Sequence, residues 1–108
     1  VSNKLDLAVK ELCEKYFSGL VDVAIGQGGD VPPKPSPFGV FKAMKELGAE
    51  KDSTIYVGDS EVDVQTAQNA GIPCIGVTWG FRGRAYLDGA DFIIDEPCDI
   101  IKICKNFQ

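Results

Sequence analysis

Four short apolar runs, VDVAI at 21–25, TIYV at 54–57, CIGV at 74–77 and FII at 92–94, are separated by stretches with helical spacing. This alternation constrains the fold more than any other feature. Strands that alternate with helices are joined by crossovers, which give a mostly parallel sheet with helices packed on it, an α/β fold. The first helix is expected over Asp6 to Phe17, where Val9, Leu12, Cys13 and Tyr16 share one face, Asp6 is placed to cap and Gly19 lies just past the end. A second is expected from about Pro37 to Leu47, with Val40, Ala43, Met44 and Leu47 on one face and Gly48 as the stop. A third runs from Glu61 to Ala70 and is closed by Gly71, and Asp99 to Cys104 adds a terminal turn or two. Gly26 to Pro37 reads as a loop rich in glycine and proline.

Composition narrows the chemistry. A chain of 108 residues is one domain at most, so residues 1–108 are treated as a single domain. Apolar runs of four or five residues are too short to span a bilayer. The opening VSNKLDLAVKELCEKY turns amphipathic and charged at once, unlike a signal peptide. A net charge of −5 argues against nucleic acid as the main partner. Cys13, Cys74, Cys98 and Cys104 form no C-x-x-C pair, and with no histidine a zinc site is not expected. Two disulfides are conceivable, but buried thiols in a reducing, cytoplasmic setting are the preferred reading. The lack of histidine also removes every His-dependent triad, which leaves Asp, Glu, Lys, Ser and Cys to carry any reaction.

The stretch IYVGDSEVD, at 55–63, then stands out. In open α/β sheets the ligand crevice lies beyond the carboxyl ends of the strands. Asp59 sits at such an end, after a glycine that permits a sharp turn, and Asp63 falls in the first turn of the next helix. Two hard carboxylate oxygens there suit Mg²⁺. For Asp63 a second reading is as natural, because Ser60-x-x-Asp63 has capping-box spacing and an acid in the first turn favours the helix dipole.

The loop GDVPPKPSP holds Lys34 between Pro33 and Pro35. Fixed φ values stiffen such a stretch and help aim an ammonium at a phosphate. The alternative is an exposed polyproline turn, a P-x-x-P ligand for an SH3-like partner. Ser2 and Asn3 offer a hydroxyl and amides before a helix start, suited either to an anion or to simple capping. The run GQGGD lacks the third glycine of a dinucleotide fingerprint. TWGFRGR places Trp79, Arg82 and Arg84 on the crevice side, where they could meet substrate or a partner subunit, or where Trp79 could be merely structural.

Taken in order, Ser2-Asn3-Lys4, Lys34-Pro35 and Gly58-Asp59-Ser60-x-x-Asp63 resemble the second, third and fourth motifs of the haloacid dehalogenase superfamily. SNKLDLAVKEL, PPKPSPFGVFKAMKELG, IYVGDSEVDVQTAQNAGIPCIGVTWGFRG and ADFIIDEPCDI are most similar to phosphoglycolate phosphatases and their close relatives, over essentially the whole chain. The resemblance implies a Rossmann-like parallel sheet with flanking helices. It also implies phosphoryl transfer to an aspartate, followed by hydrolysis of the aspartyl phosphate. Ser2 would then hydrogen-bond the transferring group with Asn3 amides nearby. Lys34 would neutralise its charge and hold the nucleophile. Asp59 would bind Mg²⁺, with Asp63 in the first or second shell of that ion and still free to cap. The partner implied is a small phosphorylated substrate.

The family's first motif, an Asp-x-Asp at the end of the first strand that carries the nucleophile, does not occur before Ser2, and no cap domain is present. The opening at Val1, with neither an initiator Met nor a strand leading in, reads like a cut inside a domain. The sheet is therefore expected to be incomplete, without its first strand and most of its second, and Val21–Ile25 would lose its bridge to Thr54–Val57. Such a chain is expected to be inactive by itself and either marginal or rescued by self-association, strand exchange or a missing N-terminal fragment. Three other functions share these features. A sugar-phosphate mutase of the same superfamily carries the same motifs, and a non-catalytic module could bind phosphate or a partner protein through Lys34 and the Trp79 loop. A receiver domain also uses acids, Mg²⁺ and a lysine, but in the reverse order.

Overall fold

The computed structural model describes residues 1–80 and 83–106, so Arg82 lies outside the described residues. The chain divides into two compact units, Val1–Ala49 and Glu50–Gln108.

The first unit is built on two helices, α1 (Asp6–Phe17) and α2 (Phe38–Leu47). Both fall where the apolar spacing places them. Val9, Val40 and Met44 turn inward, and with Ile25 and Val31 they make up this unit's buried apolar residues. The helix starts differ from expectation. Leu5, not Asp6, is the N-cap of α1, and it makes no side-chain capping bond. Asp6 is the first helical residue, and its carboxylate accepts from the Gly26 N–H at 2.9 Å and from Lys10. It thereby pins the loop to the helix. Gly48 ends α2 with φ 67°, the left-handed conformation that glycine adopts without a Cβ penalty.

Val21–Ile25 is not a strand. A ladder needs partners along several consecutive residues, and here the pairing begins only as the segment ends. Ser2 donates to the Ile25 carbonyl at 3.0 Å, Gln27 to Lys4 at 2.7 Å and Asp6 to Gln27 at 2.9 Å, leaving one parallel bridge, Leu5 with Gln27. β-Branched residues are present, yet the regular ladder is not.

The second unit holds the sheet. Its strands are β1 (Tyr56–Gly58), β2 (Cys74–Val77) and β3 (Phe92–Ile94), all parallel in the order β1-β2-β3. Helix α3 (Glu61–Ala70) connects β1 to β2, and α4 (Cys98–Lys105) closes the chain after β3. Strand β1 starts two residues later than the apolar run suggests, because a 3₁₀ turn over Lys51–Ser53 draws the Thr54 N–H to Lys51 and its hydroxyl to Glu50.

Strand periodicity sorts the two faces. The central strand β2 is buried throughout. Ile75 and Val77 form an apolar cluster with Ile94, against which Ile55, Ile100 and Ile103 pack, so α4 covers this face. On the opposite face Gly76 leaves room for Leu87, from a 3₁₀ turn at Arg84–Leu87; an added Cβ would lie 3.1 Å from the Leu87 side chain. Register sets Tyr56 beside Cys74 and Gly58 beside Gly76. Among the described residues no helix is long and apolar enough to cross a membrane, and no buried side-chain nitrogen or oxygen lacks a partner. The four cysteines carry free thiols.

Ile75 is fully buried at the centre of the cluster. Ile75→Ala is expected to cost about 2–5 kcal/mol of stability through lost burial and the cavity left behind. Urea unfolding of the two chains measures it, and a loss below about 1 kcal/mol would show the cluster to be peripheral to stability.

Candidate functional site

In the second unit, β1 delivers Asp59 to the carboxyl end of the sheet, and α3 starts at once behind it. Ser60 is the N-cap of α3 in extended conformation, and its hydroxyl accepts from the Asp63 N–H at 3.4 Å. Asp63, only 5% exposed, returns the bond: its Oδ2 accepts from the Ser60 hydroxyl at 3.2 Å and from the Asp59 N–H at 3.0 Å. Its Oδ1 accepts from the Tyr56 hydroxyl at 2.7 Å. A buried carboxylate keeps its charge only when such donors surround it. Gly58 makes the approach possible, since a Cβ there would lie 2.6 Å from Asp63 Oδ2 and closer still to Cβ and Cγ. The capping spacing thus yields a cap with an extension: Asp63 reaches past Ser60 to the amide of Asp59 and fixes the turn that displays the Asp59 carboxylate.

The donor set suits a magnesium ion at Asp59. Mg²⁺ keeps several waters and takes one or two protein carboxylates, so a single half-exposed Asp at a strand end is a workable anchor. The described residues contain no group of three or more acids or thiols that would form a closed metal cage. Asp63 already accepts from the Tyr56 hydroxyl, the Ser60 hydroxyl and the Asp59 N–H.

In the first unit the structure brings together Asn3 and Lys34, 31 residues apart. The Lys34 N–H donates to Asn3 Oδ1 at 2.6 Å, and Asn3 Nδ2 donates to the Lys34 carbonyl at 3.4 Å. The Asn3 amide thereby brackets the lysine's backbone. The Lys34–Pro35 peptide is cis. The Ser2 hydroxyl accepts from the Lys4 N–H at 3.1 Å, and neither Ser2 nor Asn3 caps α1.

Other residues enter that the sequence alone does not mark. Tyr56 is buried within an otherwise apolar strand, and a buried phenol needs a partner, which is the one signal pointing to it. At the ends of β2 and β3, the Asp95 carboxylate accepts from Thr78 Oγ1 at 2.7 Å and from Arg84 Nη2 through both oxygens, at 3.0 and 2.9 Å. Thr78 holds the Asp95 carboxyl below the usual range, with the Arg84 guanidinium adding to it. Trp79, beside this cluster, is 49% exposed. Burial, followed by the bond to Asp63, pushes the Tyr56 hydroxyl well above its ordinary value. Burial, followed by the charges of Asp63 and Asp91, raises the Cys74 thiol to about 11.

Comparison with known proteins gives the family. The family model for haloacid dehalogenase-like hydrolases matches residues 2–77. A phosphoglycolate phosphatase of Aquifex aeolicus is 31% identical over 107 residues, covering 98% of this chain and 50% of that protein. The pyrophosphatase PpaX of Bacillus mycoides is 38% identical over 97 residues, covering 88% of this chain and 43% of its own length. Among solved structures, a Lactobacillus delbrueckii subsp. bulgaricus protein provisionally named a phosphoglycolate phosphatase superposes with a TM-score of 0.90. It is 38% identical, with 94% of this chain and 44% of that one covered. The chain therefore spans about half the length of the relatives it matches.

Two measurements probe the site's foundation. Tyr56→Phe removes a hydrogen bond to a buried carboxylate and is expected to cost about 1–3 kcal/mol in urea unfolding. A neutral result would mean that Asp63 is satisfied without Tyr56. For Cys74, the folded chain keeps its proton above the ordinary value of 9.0, where the unfolded chain gives it up. Its contribution to stability is fully present below pH 9 and is lost as the pH rises through about 11. Alkylation at pH 8 is accordingly expected to label exposed Cys98 first and Cys74 last, and early labelling of Cys74 would contradict its burial.

Proposed function

The chain belongs to the haloacid dehalogenase-like hydrolase family, and on that premise we propose that the complete protein is a magnesium-dependent phosphatase acting on a small phosphate monoester of the phosphoglycolate type. The observation that carries the reading is Asp59, set at the carboxyl end of β1 with its backbone amide locked by buried Asp63. A carboxylate held that way pays little to organise around a cation when one arrives.

The roles follow from chemistry. Phosphoryl transfer asks the protein mainly for position and for charge opposite the phosphoryl oxygens. Lys34 supplies a cation on a backbone bracketed by Asn3, and Ser2 supplies a hydroxyl donor beside it in sequence. Asp59 is the residue proposed to hold Mg²⁺, with Asp63 orienting it. When bound, the ion supplies further positive charge for the transferring group. The nucleophile is assigned to an aspartate in a part of the protein outside these 108 residues. Its carboxylate oxygen would form the O–P bond as the substrate's ester oxygen leaves, and water would then cleave the aspartyl phosphate. Residues 1–108 are read as part of one core domain of that enzyme.

The test is phosphate release with Mg²⁺ from 2-phosphoglycolate and from pyrophosphate, the substrate types named by the two relatives described above. The 108-residue chain is expected to release none. In a complete protein bearing this chain, Asp59→Asn and Lys34→Met are each expected to lower kcat by about 10²–10³. Binding of phosphate without turnover in the complete protein would replace this reading with that of a phosphate-binding module.

A further inference from the structure

Gly80 has no positive φ to explain it, but it has a neighbour that does. A methyl group at position 80 would lie 2.5 Å from Asp59 Cγ and closer still to Asp59 Cβ and Oδ2. Rotating the carboxylate away does not relieve the contact, because Cβ is fixed by the Asp59 backbone. Asp63, in turn, fixes the Asp59 N–H. Only hydrogen fits between the residue-80 backbone and the Asp59 side chain. The glycine's backbone is therefore a wall against the Asp59 side chain, whose own backbone N–H is held by Asp63.

That wall is anchored. Thr78 donates its backbone N–H to the Ile94 carbonyl at 3.1 Å and its hydroxyl to Asp95 at 2.7 Å. Arg84, on the far side of position 80, grips the same Asp95 through both oxygens. One carboxylate at the end of β3 thus ties both flanks of the segment that carries Gly80. The pair is exposed, at 58% and 66%, so each bond is screened and modest. Its value lies in geometry: Arg84 Nη2 sits within hydrogen-bond reach of both Asp95 oxygens and so holds the start of the following turn close to the end of β3. Arg84 also starts the turn that seats fully buried Leu87 over Gly76, which roots the clasp in the core.

We propose that Gly80, clasped in place by Thr78, Asp95 and Arg84, is a positioning residue that restricts the Asp59 carboxylate to one orientation. The metal-binding consequence rests on the function proposed above, whereas the restriction itself does not.

NMR of the 108-residue chain separates the two. Without metal, Hα–Hβ couplings of Asp59 should report one side-chain rotamer in the parent chain and averaging or a different rotamer in Gly80→Ala. Asp95→Asn, exposed and conservative in shape, should produce partial averaging while the fold is kept. Amide shifts of Gly58, Asp59, Ser60 and Gly80 are then followed during Mg²⁺ titration. Gly80→Ala is expected to weaken Mg²⁺ binding ~10-fold or more, as loss of an outer-shell partner does. Asp95→Asn should weaken it by less than about 5-fold, the scale of an exposed ion pair. Unchanged Asp59 couplings in Gly80→Ala would overturn the proposal. Should that variant not fold, unchanged couplings in Asp95→Asn would overturn it instead. A changed rotamer with no Mg²⁺ response at Asp59 in either chain would uphold the role of Gly80 and show that Asp59 alone does not hold the ion in these 108 residues.

Discussion

A carboxylate taken out of water must be given donors or it gives up its charge. Asp63 meets that requirement with a phenol from β1, a hydroxyl from the cap of α3 and the amide of Asp59. Those three bonds join strand, turn and helix at one point. Gly58 exists at the strand end because Asp63 occupies the space a side chain would need. Tyr56 keeps its proton because burial and Asp63 both favour the neutral phenol. The Asp59 N–H is committed to Asp63. Removing the carboxylate would leave a buried hydroxyl and an amide without partners, so the cost is spread over the whole turn rather than confined to one contact.

The two units differ in how their backbones are satisfied. In the second, β2 is paired on both sides and covered on both faces, which is the usual state of a parallel strand. In the first, irregular chain is held by individual bonds, such as Asp6 with Gly26 and Asn3 with Lys34. Such bonds specify position one residue at a time. They allow a loop to be shaped without a ladder, and the loop carrying Lys34 is shaped this way.

Helices were legible because apolar spacing and closing glycines are local signals: α3 lies at Glu61–Ala70, where its periodicity and Gly71 place it, with Ser60 as its cap. Strands β2 and β3 were legible for the same reason. Val21–Ile25 was misread because β-branched residues show willingness to pair, whereas a strand also requires a partner at each step. Asp6 was misread as a cap because its carboxylate is drawn to the Gly26 amide, a neighbour that tertiary structure supplies. Asp59, Asp63 and Lys34 could be picked out by motif. Tyr56, Thr78, Asp95 and Gly80 could not, since each matters through a residue remote in sequence and has no local pattern of its own. Gly80 in particular looks like any loop glycine until Asp59 is seen against it.

The bond pattern at position 34 has a consequence for how this chemistry could change over time. Asn3 grips the N–H and C=O of residue 34, bonds that any residue other than proline can make there. Scaffold and reagent are thereby separable at that position. A substitution that swaps the ammonium for another head group inherits the same backbone placement, so selection can explore new charge or length there without first rebuilding the loop. At Asp63 the opposite holds, because both of its oxygens are tied into the fold. A lineage drifting toward a different chemistry would be expected to vary the first position before the second.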